Sequence, residues 1–222
     1  MTYRPQQRVK VRETARRNAV VAARSGRVHV PIGKRAGASE QRRRGSVLPP
    51  EQWHEPRSEP RQEFSIIVQP PGAGYQHVLT PDEIRTRLRM LPAWMTRKLE
   101  VVQLSTMTRK KRTYPCYGMQ WGNSIYLYPV EDSYVETIRR PPDPAQQIEA
   151  RMFGVDWRQS GRRTWELKWT PESIRDFYLN NILIHELGHL LDDRNSSYAD
   201  RERYAEWFAI EHGYRPTRAS RI

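Results

Sequence analysis

Apolar residues recur at the spacing of an α-helix near the C-terminal end of the chain, and this pattern predicts a long helix. The apolar positions, which return to one helix face every three or four residues, are Ile174, Phe177, Tyr178, Ile182, Leu183, Leu187, Leu190 and Leu191. The helix begins either at Thr170 with Pro171 or at Ser173. The polar residues 192–197 end it, and residues 198–212 are predicted to form a second helix.

The segment that precedes these helices contains patterns of both strands and helices. The predicted strands are residues 64–68, 99–104 and 165–169, together with a hairpin over residues 117–130 that turns at Gly122-Asn123. One predicted helix begins at Thr80-Pro81, another covers residues 145–153, and residues 107–112 are predicted to form a basic turn. This mixture predicts an α+β fold.

Residues 185–189 read His-Glu-Leu-Gly-His and lie within the first predicted helix. His185 and His189 are four residues apart, so both imidazoles lie on one helix face and can bind a single metal ion. This spacing is the pattern of zinc hydrolases. Glu186 is about 100° around the helix from His185, where its carboxylate can reach a metal-bound water and act as a general base.

A catalytic zinc site needs a third protein ligand when water holds the fourth position. The second predicted helix offers candidates on a single face, which are Glu202, Ala205, Glu206 and Ala209. Two carboxylates beside two small residues fit a surface that faces a metal-bearing helix. Alternatively, both glutamates are solvated and pair with nearby arginines, as charged residues mostly do. His212 is a further candidate ligand.

The two motifs together, His-Glu-Leu-Gly-His at 185–189 and Glu202-x-x-Ala205-Glu206-x-Phe208-Ala209, resemble those of the gluzincin zinc metallopeptidases. They are most similar to small bacterial zinc-peptidase domains, lethal-factor-type toxins and regulatory peptidases that cleave repressors. The resemblance covers about residues 174–212. It implies a zincin-like domain with a small mixed sheet, an active-site helix and a following helix that bears a glutamate.

The resemblance also implies a role for each matching residue. The zinc ligands, for one Zn²⁺ per chain, would be His185, His189 and Glu202. Glu186 would be the base and Glu206 would support a ligand histidine, while Asp192 matches a position that is often acidic in the toxin-type relatives. Only 12 residues, 190–201, separate His189 from Glu202, fewer than in larger peptidases. This short connection leaves Glu206 open as an alternative ligand.

Two further expectations concern the substrate. A tyrosine or histidine often assists at the carbonyl oxygen that is attacked, and the candidates here are Tyr198, Tyr204 and His212. Packing or surface roles for these three residues are also open. In a zincin fold an extended substrate commonly adds to an exposed sheet edge, and residues 125–128 are the predicted edge.

The first 63 residues differ from the remainder in charge. They contain 15 Lys and Arg against 6 Glu and no Asp, so they contribute +9 of the net charge of +13. Such a segment buries too little apolar surface to offset the entropy of ordering it. We therefore predict a disordered basic tail at 1–63, a zincin-like domain at 64–216 and a short C-terminal tail at 217–222. The basic tail could attach to nucleic acid or another acidic partner, or simply be a solubilising extension.

Cys116 is the only cysteine, so no disulfide within the chain is possible and a reducing, cytoplasmic location is expected. No apolar run is long enough to predict a membrane span. The sequence predicts a zinc-dependent metallopeptidase that acts on a protein or peptide substrate. The alternative is a zinc-binding regulatory or nucleic-acid-associated protein with the same fold and little or no proteolytic activity.

Overall fold

The computed structural model describes residues 49–56, 63–113 and 116–219 of the chain. The strands within these residues are β1 (Ser65–Val68), β2 (Tyr75–Gln76), β3 (Val101–Leu104), β4 (Gly118–Trp121), β5 (Ser124–Leu127), β6 (Val130–Glu131), β7 (Val135–Ile138), β8 (Trp157–Gly161) and β9 (Thr164–Lys168). The α-helices are α1 (Pro81–Arg89), α2 (Ala93–Thr96), α3 (Arg109–Thr113), α4 (Pro144–Met152), α5 (Pro171–Phe177), α6 (Leu183–Leu191), α7 (Tyr198–Ala209) and α8 (Arg215–Ala219). Two π-helical segments, Tyr178–Ile182 and Ile210–Tyr214, join α5 to α6 and α7 to α8. The predicted α+β class is confirmed.

Four strands form a mixed sheet in the order β1-β3-β5-β4. β1, β3 and β5 are parallel, whereas β4 pairs antiparallel with β5 through the predicted turn at Gly122. Because β5 pairs with both β3 and β4, the edge strands of the sheet are β1 and β4, and the prediction that residues 125–128 form the edge is wrong. β5 is buried along its whole length, and such an apolar run does not distinguish an interior strand from a covered edge strand.

The remaining strands form two small antiparallel sheets. β7, β9 and β8 make a three-stranded sheet with β9 in the middle, and β2 pairs with β6. β9 corresponds to the strand predicted at 165–169. Trp169, the residue directly after β9, stacks on Phe177 of α5 with ring centroids 4.9 Å apart, which attaches this sheet to the helical layer.

The helical layer packs on one face of the four-stranded sheet and forms the main core. Fully buried residues of the sheet, such as Val102 and Ile125, belong to one apolar cluster with Ile174 of α5 and with Leu183 and Leu187 of α6. Burial of this apolar face supplies the main stabilisation of the pair of layers. The packing also fixes α6 across β4 and β5, with which it makes contacts.

The predicted long helix is a continuous α5–π–α6 rod that begins at Thr170. The Thr170 hydroxyl accepts the Ser173 backbone N–H, and the Ser173 hydroxyl accepts the Thr170 N–H, so the two candidate start residues cap the helix together. The π-helical segment was not predicted. It lies where Gly213 packs against it: a methyl group on Gly213 would come within 2.0 Å of the Asn180 carbonyl oxygen.

Residues 49–56 lie against the face of the sheet opposite to the helices. The His54 ring stacks on Tyr126, its Nε2 hydrogen-bonds to Gln103 Oε1 at 2.9 Å, and its backbone N–H donates to the Tyr126 hydroxyl. This segment was predicted to belong to the disordered tail, and these contacts correct that boundary. Residues 217–219 of the predicted C-terminal tail belong to α8, where Arg218 donates to Asp176 at 2.7 Å. Residues 1–48, 57–62 and 220–222 of the predicted tails lie outside the described residues.

Residues 109–113 form the short helix α3 where a basic turn was predicted. The Thr108 hydroxyl accepts the backbone N–H of Lys111 and caps its first turn. No helix within the described ranges is both long and apolar enough to cross a membrane.

Candidate metal centre

Two helices bring three potential metal ligands together. His185 and His189 come from α6, and their Nε2 atoms are 3.1 Å apart. Glu202 comes from the first turns of α7, with Oε2 3.8 Å from His185 Nε2 and Oε1 3.4 Å from His189 Nε2. One potential ligand atom from each residue lies within 4.8 Å of the others, which makes the three a possible metal-binding group.

The donor set fits a zinc ion in chemistry and in spacing. In a tetrahedral site with zinc–nitrogen bonds of about 2.0–2.1 Å, two ligand nitrogens lie about 3.3 Å apart, close to the separation of the two imidazoles. His185, His189 and Glu202 are 8%, 1% and 7% exposed. A carboxylate and two imidazoles buried together are stabilised by a cation that all three can bind.

α6 and α7 approach closely because small residues line their contact. A methyl group on Gly188 would lie 3.0 Å from the Ala205 Cα and 3.1 Å from the Phe208 Cβ. The absence of a side chain at Gly188 therefore lets the α7 backbone lie against α6, the helix that carries the two histidines. Ala205 is fully buried at this contact, and Glu202 is one helical turn away, facing the histidines.

Glu186 is 2% exposed and lies beneath the edge strand β4. A methyl group on Gly118 would be 2.9 Å from Glu186 Cγ and 3.1 Å from its Oε1. The Glu186 side chain therefore occupies space that exists only because residue 118 is glycine. Gly118 was not identified from the sequence, since nothing in the hairpin pattern indicates what lies against its first arm.

Asp192 organises the turn that follows α6. Its Oδ1 accepts the backbone N–H groups of Arg194 and Asn195 and the side-chain amide of Asn195, at 3.0–3.3 Å. The Asp192 carboxylate therefore caps the turn between α6 and α7. The turn ends at Ser197, whose hydroxyl accepts the Asp200 N–H and begins α7.

Arg201 connects the end of α6 to the start of α7. Its guanidinium donates to the Asp192 carbonyl at 2.7 Å and to the His189 carbonyl at 2.9 Å. Burial lowers the pKa of Arg201 from its ordinary value, while the charges of Asp192 and Glu202 oppose that shift. From the sequence, Arg201 was only one of several arginines near the two glutamates, and its position directly before Glu202 was the available signal.

The other candidate residues lie outside the three-ligand cluster. Glu206 is exposed on α7 and is not part of the cluster, and His189 Nδ1 makes no hydrogen bond within the described part of the chain. Tyr198 is also exposed. Tyr204 has the Arg194 guanidinium over its ring at 5.9 Å. The His212 ring packs against Phe208 with centroids 4.5 Å apart, and burial lowers its pKa.

No family model, curated protein or solved structure matches this chain.

Proposed function

We propose that this protein is a zinc-dependent metallopeptidase that hydrolyses a peptide bond in a protein or peptide. The observation that carries the proposal is the meeting of His185, His189 and Glu202 in one buried cluster, on two helices joined by a short turn. Two neutral imidazoles and one carboxylate leave a bound zinc ion with a net positive charge and room for a further ligand.

Each residue would have a defined task. His185, His189 and Glu202 would hold the ion, which when bound lowers the pKa of a coordinated water to about 7 and polarises a carbonyl oxygen. Glu186 neighbours the first ligand in sequence and is 2% exposed. Its carboxylate would accept a proton from the attacking water and deliver it to the leaving amine.

The edge strand β4 supports a peptide as the substrate. β4 is the antiparallel edge of the sheet, and its first residue, Gly118, contacts the Glu186 side chain. The four residues of β4 are buried, so an extended peptide would pair with this edge through main-chain hydrogen bonds after the strand is uncovered. Its carbonyl groups would then pass beside the base.

Metal content and hydrolysis test this function together. We expect one zinc per purified chain by elemental analysis, and loss of zinc in His185→Ala and Glu202→Gln. Glu206→Gln is the matched control, because Glu206 is on the same helix but exposed, and it should retain zinc. Glu186→Gln should retain zinc and lose hydrolysis of a fluorogenic peptide library.

Two results would contradict the proposal in different ways. Zinc-free wild-type protein, or zinc retained in His185→Ala, would reject the metal site itself. Stoichiometric zinc with no hydrolysis of any library peptide would instead favour the alternative of a zinc-binding regulatory protein. In that case a steep salt dependence of nucleic-acid binding would indicate attachment through basic residues.

A further inference from the structure

Arg201 is a buried cation placed between the two helices that carry the candidate ligands. It is 5% exposed, and its guanidinium bridges two main-chain carbonyls, those of His189 and Asp192. These carbonyls belong to the last turn of α6 and to the residue after it. Helix C-termini leave carbonyls without helical partners, and a cation there also interacts favourably with the helix dipole.

The same side chain balances negative charge. Arg201 Nη1 is 3.8 Å from Asp192 Oδ2, and both Asp192 and Glu202 interact electrostatically with the guanidinium. Buried carboxylates are costly without a nearby cation. Arg201 therefore stabilises both the turn after α6 and the neighbouring ligand carboxylate.

Because of the order of these residues along the chain, the Arg201 bridge connects the two helices that carry the candidate metal ligands. His189 is a ligand candidate whose own carbonyl Arg201 binds, and Glu202 is the next residue after Arg201 in the sequence. The Arg201 guanidinium thus links the backbone of His189 to the residue directly before Glu202. A planar fork that donates to two carbonyls fixes both distance and orientation, which a lysine ammonium does not reproduce.

We propose that Arg201 is a positioning residue for the metal centre: by clamping the end of α6 to the first turn of α7, it holds Glu202 opposite His185 and His189. This inference rests on the proposed zinc function. It assigns to Arg201 no contact with substrate and no proton transfer. Its effect is on the geometry with which one ion is bound.

Zinc affinity of Arg201→Lys, measured by competition with a chromophoric chelator well below the unfolding temperature, tests the proposal. We expect binding about 10- to 100-fold weaker than in the wild-type protein, which is the usual effect of losing a partner that orients metal ligands. Arg203→Lys is the surface control, because the Arg203 side chain is 75% exposed. It should bind zinc as the wild-type protein does.

A second control separates positioning from general loss of stability. Arg87 is also a buried arginine that donates to a main-chain carbonyl, that of His212, and to the Asn180 side chain. Arg87→Lys should lower the melting temperature of the zinc-free protein without weakening zinc binding by more than about twofold. Equal weakening in both lysine variants, or unchanged binding in Arg201→Lys, would overturn the proposal.

The wild-type protein provides a readout that needs no variant to fold. The guanidinium ¹⁵N–¹H resonances of Arg201 should exchange slowly with water and should shift when zinc is added. Rapid exchange, or resonances unaffected by stoichiometric zinc, would contradict the clamp. If the wild-type protein binds zinc but Arg201 responds in neither experiment, only this inference fails; if it binds no zinc, the proposed function fails as well.

Discussion

The main chain of Gly118 and the side chain of Glu186 share a space too small for one additional methyl group. The position of a Cβ on Gly118 is 2.9 Å from Glu186 Cγ and 2.8 Å from Ile182 Cγ2. Real Cβ atoms essentially never approach so closely, so one of the two elements must move if residue 118 is enlarged. The edge strand and the candidate base are therefore coupled sterically.

Gly118→Ala should displace the Glu186 side chain and reduce peptide hydrolysis while leaving zinc bound. Overpacking of this kind typically costs about 1–3 kcal/mol of folding free energy, which should also appear as a lower melting temperature. Gly161→Ala is the control, because the atoms nearest to a Cβ added at Gly161 are two atoms of Thr164, each 3.5 Å away, which is ordinary van der Waals contact. Wild-type activity in Gly118→Ala would show that Glu186 does not need its present position.

Gly188→Ala places two effects of similar size in opposition. An alanine inside a helix is favoured over glycine by about 1 kcal/mol, but the new methyl would lie 3.0 Å from the Ala205 Cα. The atom that it meets belongs to the backbone and not to a flexible chain end, so α7 must shift. We therefore expect a net loss of stability, because overpacking costs about 1–3 kcal/mol.

Measuring the zinc affinity of Gly188→Ala distinguishes a shift in the position of α7 from a change in the stability of the protein. If α7 shifts in Gly188→Ala, Glu202 moves away from the histidines and zinc binding should weaken. Chelator competition on the folded variant measures this directly. A Gly188→Ala variant that melts at a higher temperature than the wild-type protein and binds zinc equally well would mean that α6 and α7 accommodate the added methyl group without moving apart.

Local sequence patterns were sufficient to identify the helix that carries His185 and His189. They were not sufficient to identify which residues pack against that helix. The spacing of His185 and His189 is a property of one helix, so it could be identified without knowing the fold. The pairing of Glu202 with them depends on the packing of Gly188 against Ala205, which no spacing rule expresses. Which glutamate lies beside the two histidines is therefore visible only once the two helices are placed together, and it is Glu202.

Contacts between distant segments account for the features that were missed or mistaken. Gly118 faces Glu186 across 68 positions of the chain, and the interior location of β5 depends on its pairing with β3. Residues 49–56 follow the composition of the tail but pack on the sheet through His54. In each case the partner of the segment is decided by the tertiary arrangement, which local composition and spacing do not specify.

His54→Ala should destabilise the domain although His54 was assigned to a disordered tail. The substitution removes the stack on Tyr126 and leaves the buried Gln103 side chain without its hydrogen bond to the His54 ring. An unsatisfied buried polar group costs about 1–3 kcal/mol. Urea unfolding measures the change. Gln52→Ala is the control, since its hydrogen bond to Gln69 is exposed and should contribute within about 0.5 kcal/mol.

Buried tyrosines predict a loss of stability at alkaline pH. Burial is the main cause that raises the pKa of Tyr117 and of Tyr178 well above the ordinary value of 10.0, and the nearby Glu136 carboxylate raises both further. Above pH 10 the unfolded chain releases these phenolic protons while the folded protein keeps them. The unfolded state then binds fewer protons, so the free energy of unfolding must fall as pH rises.

The pH dependence of urea unfolding between about pH 8 and 11 checks this sign. Each tyrosine that ionises only on unfolding contributes a slope of about 1.4 kcal/mol per pH unit above its unfolded pKa. Tyr117→Phe should lower stability at neutral pH, because the Tyr117 hydroxyl donates to Glu136, but it should make the alkaline slope shallower by one proton. If the slope is unchanged in Tyr117→Phe, or if the tyrosines titrate in the folded protein with an ordinary pKa, burial of the Tyr117 hydroxyl does not control this transition.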